Sequence, residues 1–403
     1  MSTILTTHAG SLPRPAELIE ANAARPVDDT GLAPVLADDF TEVLRTSVER
    51  VVQRQQDLGI DLPNDGEYGH LMASAVNYGS WWTYIFDRVG GLELTGEDIR
   101  TTKAVRSEPG QVRLTSFPDR RDWQRFQTAY NDPDSGISLG EQKVFPAATG
   151  AVSFTDLGQK LIGLDIAHLQ AALDKSGYQQ GFLNSVSPGT GSRIVDNHYG
   201  DVDEFLEAWV QALRPEYQAI AEAGLTVQID APELAENWDQ INPEPTIEDY
   251  LAFTAKRVDA INRAIEGIPA EQVRLHLCWG SWHGPHTTDF PLAELAPVVL
   301  QANAKYLSFE AGNVRHEHEW TVWEQVELPA DKVLVPGVVS HATNVVEHPD
   351  LVAQRLERFA RIVGAERVIG STDCGLGGRI HADIAWAKLE SLTAGARLVT
   401  GEH

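Results

Sequence analysis

Short runs rich in Val, Ile, Leu and Phe alternate along the chain with longer stretches whose apolar residues recur every three or four positions, the pattern of repeated strand–helix units. Nine runs read as strands: "LTTHAGS", "GIDLPNDGE", "KVFPAATGAV", "GFLNSVSPG", "LTVQID", "VRLHLCWG", "YLSFEAG", "VLVPGVVS" and "RVIGSTDCG". A ring of eight parallel strands needs one fewer, so one run lies outside the ring or two belong together. The stretch "DEFLEAWVQALRPEYQAIAEAG" reads as a helix interrupted at Pro215, with Gly224 as its C-cap. The helix after Pro349 ends near Gly364 and leads into another strand. Residues 85–140 are polar, with Pro and Gly scattered through them and no clean period, and read as an excursion from the scaffold rather than a second domain. No Gly-rich fingerprint follows the first strand, and polar residues recur at strand ends, which favours a barrel over a doubly wound sheet. The expectation is an α/β fold in which residues 1–403 form a single (β/α)8 TIM barrel carrying that excursion.

Composition narrows the partners. The chain is 42% hydrophobic and 22% charged, an ordinary packed protein. Its 32 Lys+Arg against 58 Asp+Glu give a net charge of −26, which repels phosphate backbones and anionic lipid headgroups, so neither nucleic acid nor a membrane is expected as a partner. No run of about eighteen apolar residues is present to span a bilayer. The start "MSTILTTHAGSLPRP" lacks the basic and apolar segments of a secretory signal, and two distant cysteines make no disulfide framework, so a cytoplasmic location is expected.

Those two cysteines carry the candidate chemistry. In "LHLCWG", His276 and Cys278 stand two apart on a strand, so both side chains project to one face while Leu277 and Trp279 project to the other. Imidazole and thiolate together suit zinc, and a catalytic zinc takes about three protein ligands and one open position. Cys374 closes another strand in "STDCGLGG", and Glu310 ends a third in "YLSFEAGN". Glu67 in "PNDGEYGH" and Asp230 in "VQIDAPELAE" stand at two further strand ends, the face where a barrel gathers its substrate-handling groups.

These motifs resemble the cobalamin-independent methionine synthases, in particular their C-terminal catalytic barrel, and the shorter zinc alkyltransferases related to it. "TTHAGSLPRP" is similar to that barrel's Gly-Ser-Phe-Pro opening, "DGE" to its Gly-Glu, "QIDAPELAE" to its Gln-Ile-Asp-Glu-Pro and "HLC" to its His-x-Cys, with "LSFE" and "TDCGL" completing the set in the family's order. The resemblance implies zinc held by His276, Cys278, Glu310 and Cys374, and a pocket for an amino-acid thiol bordered by Ala9, Gly10, Ser11, Glu67, Asp230 and Glu236. It also implies an acid in the segment resembled by "PGVVSHATNVVEHP", where His341 falls about one position out of register. There are departures. The length leaves room for one barrel rather than the two of the long members, and "TGAVSFTDLG", nearest to the family's pterin-stacking segment, has no Trp. Trp81, Trp82, Trp279 and Trp282 are the available stacking faces.

Together these features predict a zinc-dependent thiol alkyltransferase whose partners are a small-molecule thiol and an alkyl donor. Zinc lowers the pKa of a bound thiol so that sulfur attacks carbon, and a general acid, His341 or else Asp230 or Glu236, protonates the leaving group. S-methyl transfer to homocysteine or a similar thiol, as in methionine biosynthesis, is the first expectation. Thiol addition to an epoxide, as in the epoxyalkane:coenzyme M transferases, is the alternative. Glu67 and Asp230 suit an ammonium group, whereas a sulfonate thiol calls for Arg or Lys in the pocket.

Overall fold

The computed structural model describes residues 4–26, 35–70, 80–98, 103–137 and 144–400. Ten strands run in chain order: β1 (Leu5–Thr6), β2 (Val89–Asp98), β3 (Val144–Phe154), β4 (Phe182–Val186), β5 (Val195–Asp196), β6 (Thr226–Asp230), β7 (Val273–His276), β8 (Tyr306–Glu310), β9 (Val333–Val339) and β10 (Ile369–Thr372). Seven of them form a parallel sheet in the order β1-β10-β9-β8-β7-β6-β4. Residues 62–64 fill the eighth position. Leu62 N donates to Thr6 O at 3.1 Å, Phe182 N donates to Pro63 O at 3.1 Å, and Asn64 bridges Phe182 in parallel, so the sheet curls from β4 back to β1. The architecture is an α/β barrel of the TIM type. Strands β4, β7 and β9 are buried at every position, as expected where side chains pack inside the ring and helices cover it outside.

The ninth candidate strand lies outside the ring: "KVFPAATGAV" supplies β3, which pairs antiparallel with β2 and parallel with β5 in a separate three-stranded sheet. The excursion therefore includes an edge of that sheet, while its remainder folds over the loops after β6 and β7. Ser107 N donates to Asn242 O, Thr115 N to Gln240 O and Arg121 N to Asp239 O, at 3.1, 2.9 and 3.2 Å.

Caps fix the helix ends where the pattern places them. Asp201 accepts from Asp203 N and Glu204 N to open the helix Val202–Glu222, and Thr155 accepts from Gly158 N to open Asp156–Ser176. Against expectation, Val202–Glu222 runs unbroken through Pro215. Proline removes one ladder bond, but Trp209, Val210 and Leu213 before it and Tyr217 and Ile220 after it are all buried on the same seam, and that burial outweighs the lost bond. Gly224 takes the left-handed turn beyond the helix, at φ 78°. The helix Pro349–Val363 ends at Gly364 as expected. Among the described residues no helix is long and apolar enough to cross a membrane.

Candidate active site at the barrel mouth

Strand alternation brings His276, the last residue of β7, and Cys278, two further on, to one face, and Cys374 meets them from beyond β10. One donor atom from each lies within 4.8 Å of the others, a group able to hold a metal ion. His276 Nδ1 pairs with Ser308 Oγ on β8 at 3.0 Å. Its Nε2 is buried and finds no hydrogen-bond partner among the described residues. One ring nitrogen anchored and the other left over is how a protein presents a ligand histidine, so this donor set fits zinc. The two thiols are close enough to share a proton. The hydrogen bond from Cys278 holds the Cys374 thiol well below its usual range against burial, while the same contact and burial push Cys278 up. Ser281 Oγ lies 3.3 Å from Cys374 Sγ.

The three donors open onto a cavity of about 570 Å³, part of it open to solvent, whose walls include Ala9, Ser11, Glu67 and Asp230. Asp230 ends β6, and its two oxygens accept from Asn184 Nδ2 at 3.0 Å and Gln228 Nε2 at 2.7 Å. The same two amides hold Ala9 O. Burial pushes the Asp230 carboxyl up to about 6. Glu67 is buried with its backbone in the left-handed region at φ 58°, and its Oε2 has no partner among the described residues. Burial and the neighbouring Asp230 push it well above the usual carboxylate range. Gly10 makes room for this pair: a Cβ there would come within 2.1 Å of Glu67 Oε1 and 2.3 Å of Asn184 Nδ2.

Three of the residues singled out in the sequence stand elsewhere. Glu236 is absent from the cavity wall: Arg193 donates to both of its oxygens at 3.2 and 2.9 Å, and Arg120 also donates to Oε1. Burial opposes ionisation, but Arg193 and Arg120 pull this carboxyl down to about 2. Glu310 ends β8, yet its carboxylate turns to Trp279 N (2.9 Å) and Asn313 Nδ2 (2.6 Å), and it groups with His341 and Asp373 instead of the thiols. His341 is buried and absent from the cavity wall; burial drives its imidazole down to about 3, and its Nδ1 has no partner among the described residues.

Sequence reasoning missed the residues that brace these groups. Ser308 orients His276 and Gln228 holds Asp230; the period of two that paired His276 with Cys278 also puts Gln228 on the face of Asp230. Asn184 sits inward on β4 with no such neighbour to mark it. Arg14 and Arg379 also line the cavity, as does Trp81, whereas Trp279 is sealed in the core.

A family model described as the cobalamin-independent synthase catalytic domain matches residues 194–397, which include His276, both cysteines and the carboxylates of β6 and β8. The chain belongs to this family. Among its relatives, methionine synthase from Thermococcus kodakarensis is 23% identical over 400 residues, 98% of this chain and 94% of that protein. The 2-hydroxypropyl-CoM lyase of Xanthobacter autotrophicus is 28% identical over 170 residues, 36% of this chain and 45% of that protein. In structure, a B12-independent methionine synthase from Shewanella sp. W3-18-1, in complex with selenomethionine, aligns over 100% of this chain and 99% of its own at a TM-score of 0.69 and 19% identity. That likeness supports the barrel fold.

Proposed function

We propose that the chain is an alkyltransferase for a small-molecule thiol, with homocysteine or a similar amino-acid thiol as acceptor and a methyl group as cargo. The observation that carries this reading is the convergence of His276, Cys278 and Cys374 on a cavity whose wall also holds Glu67 and Asp230. His276, Cys278 and Cys374 would hold a zinc ion and leave it able to take the acceptor sulfur as a further ligand. Zinc bound there supplies thiol activation, keeping the acceptor as thiolate at neutral pH. Glu67 and Asp230 take the ammonium: two buried carboxylates with pKa values raised by burial gain most from a cation that offsets their charge. Asn184 and Gln228 hold Asp230 in place for this. The leaving group takes its proton from Asp230, which reaches the cavity and titrates at about 6, whereas His341, beyond the end of β9, is off the cavity wall and kept neutral by burial.

One observation favours a second reading. Arg14 and Arg379 line the same cavity, and guanidinium is the group that grips a sulfonate. Thiol addition to an epoxide, with a sulfonate thiol such as coenzyme M, therefore stands as the alternative, in keeping with the partial match to the CoM lyase. A panel of thiols crossed with methyltetrahydrofolate, methylcobalamin and short epoxides, read by product mass spectrometry, separates the two. Methylated homocysteine supports the first reading, and a hydroxyalkyl thioether of coenzyme M replaces it with the second.

A further inference from the structure

We infer that His286 and His316 stand as imidazolium cations in a charged clasp, His286–Asp289–His316–Glu319, which positions the loop after β7 and through it the two thiols of the cavity. The inference rests on the reading of Cys278 and Cys374 as the thiol-handling pair.

The charge state follows from geometry. On His316, Nδ1 faces Glu319 Oε2 at 2.8 Å and Nε2 faces Asp289 Oδ2 at 3.1 Å. On His286, Nδ1 faces Asp289 Oδ1 at 3.2 Å and Nε2 faces the Trp282 carbonyl at 3.0 Å. All four contacts are to oxygens that only accept or are ionised. A neutral imidazole has one N–H, so it would set a lone pair against one of these oxygens; only the doubly protonated ring satisfies both. Asp289 is thus a carboxylate between two cations, and Glu319 completes the chain while also accepting from Leu292 N at 2.7 Å. Acidic groups face both rings, and His283 and His341, whose imidazoles burial holds below the usual range, face His286. Glu310 acts on both rings, and Asp122 accepts from His286 N at 3.2 Å.

The clasp reaches the thiols through two tryptophans. The His316 ring lies nearly parallel on the Trp279 indole, centroids 3.9 Å apart, and Trp279 directly follows Cys278. His286 stacks on Trp282 at 4.5 Å. Between these anchors sits Ser281, whose hydroxyl touches Cys374. The loop needs holding, because His286 adopts φ 53°, a left-handed backbone that is strained for a non-glycine residue. Gly280, at φ 96°, leaves the space into which Trp282 folds back. His286 and His316 are positioning residues in this arrangement, since neither lines the cavity.

The test is histidine side-chain NMR on the whole 15N-labelled chain at pH 8, where an ordinary imidazole is neutral. At least two of the 13 histidines should remain doubly protonated, and their signals should vanish in His286→Gln and His316→Gln respectively. Neutral rings at pH 8 overturn the proposal without recourse to any variant. In Asp289→Asn, both rings should titrate closer to the ordinary range, and metal-free protein should alkylate with iodoacetamide severalfold faster at the thiols as Ser281 leaves Cys374. Unchanged alkylation with the imidazolium signals lost overturns the positioning role. A failure of the proposed function looks different: no thiol alkyl transfer, with the two imidazolium signals intact.

Discussion

The cavity wall and the cluster around Glu236 are built by one rule and end in opposite states. Both place carboxylates at or just beyond the end of β6, and both bury them almost completely. Around Glu236 both carboxylate oxygens are answered, since two guanidiniums converge on them and Gln240 accepts from each arginine. Across the cavity the bonding is left incomplete: Glu67 Oε2 and His276 Nε2 lack partners among the described residues, and two carboxylates stand together. A buried polar group without a partner costs roughly 1–3 kcal/mol, so a fold that keeps several side by side is storing capacity for a ligand. Position at a strand end nominates a residue. Unmet valence that faces the cavity distinguishes the binding wall from the brace, where Arg120 Nε and Nη1 lack hydrogen-bond partners but line no opening.

The sharpest way to break this comparison is to disturb the brace. Glu236→Gln leaves Arg193 buried without its counter-ion and Arg120 with only Asp239, at 3.7 Å, and should cost about 3 kcal/mol in urea unfolding, with thiol affinity of the folded protein retained. A variant of normal stability but lost affinity would move Glu236 to the cavity side. Next in size is the acid: Asp230→Asn is expected to lower turnover roughly a hundredfold with methyltetrahydrofolate or an epoxide, whose leaving groups need a proton. With a methyl sulfonium, which leaves as a neutral thioether, the loss should largely disappear. Equal losses on both donors would make Asp230 a binding group only.

Smaller effects belong to the wall itself. Glu67→Gln and Asp230→Asn should each weaken an amino-acid thiol about tenfold, about 1.4 kcal/mol, by isothermal titration and leave the metal content unchanged. Loss of metal in either variant would place that carboxylate at the metal. The pH dependence has a definite sign. Burial raises both carboxyls, so protonation sets in at higher pH than usual, and a protonated carboxyl does not hold an ammonium. Thiol affinity should therefore weaken as the pH falls through about 6, and Asp230→Asn should flatten that slope.

Much of this was legible in the sequence for physical reasons. Period-two alternation put His276 and Cys278 on one face, and strand ends marked Glu67, Asp230 and Cys374, because a barrel collects the ends of its strands around one opening. Pairing partners were not legible. "KVFPAATGAV" looks like any ring strand, since its neighbours β2 and β5 are set by contacts distant in sequence. Glu236 looked like Asp230 for the same reason: the residues that saturate it, Arg120 in the excursion and Arg193 before β5, carry no local signature. Glu310 shares the strand-end signal, yet its orientation depends on Trp279 N and Asn313, which only the folded loop supplies.

The central claim is that the unmet donors at the mouth exist to hold a metal and a thiol, and metal content tests it most directly. Atomic-absorption analysis of the purified chain should find about one zinc per molecule, with most of it lost in Cys278→Ser and in Cys374→Ser. Full zinc retained in both variants, or none in the parent after growth with zinc, would contradict the account.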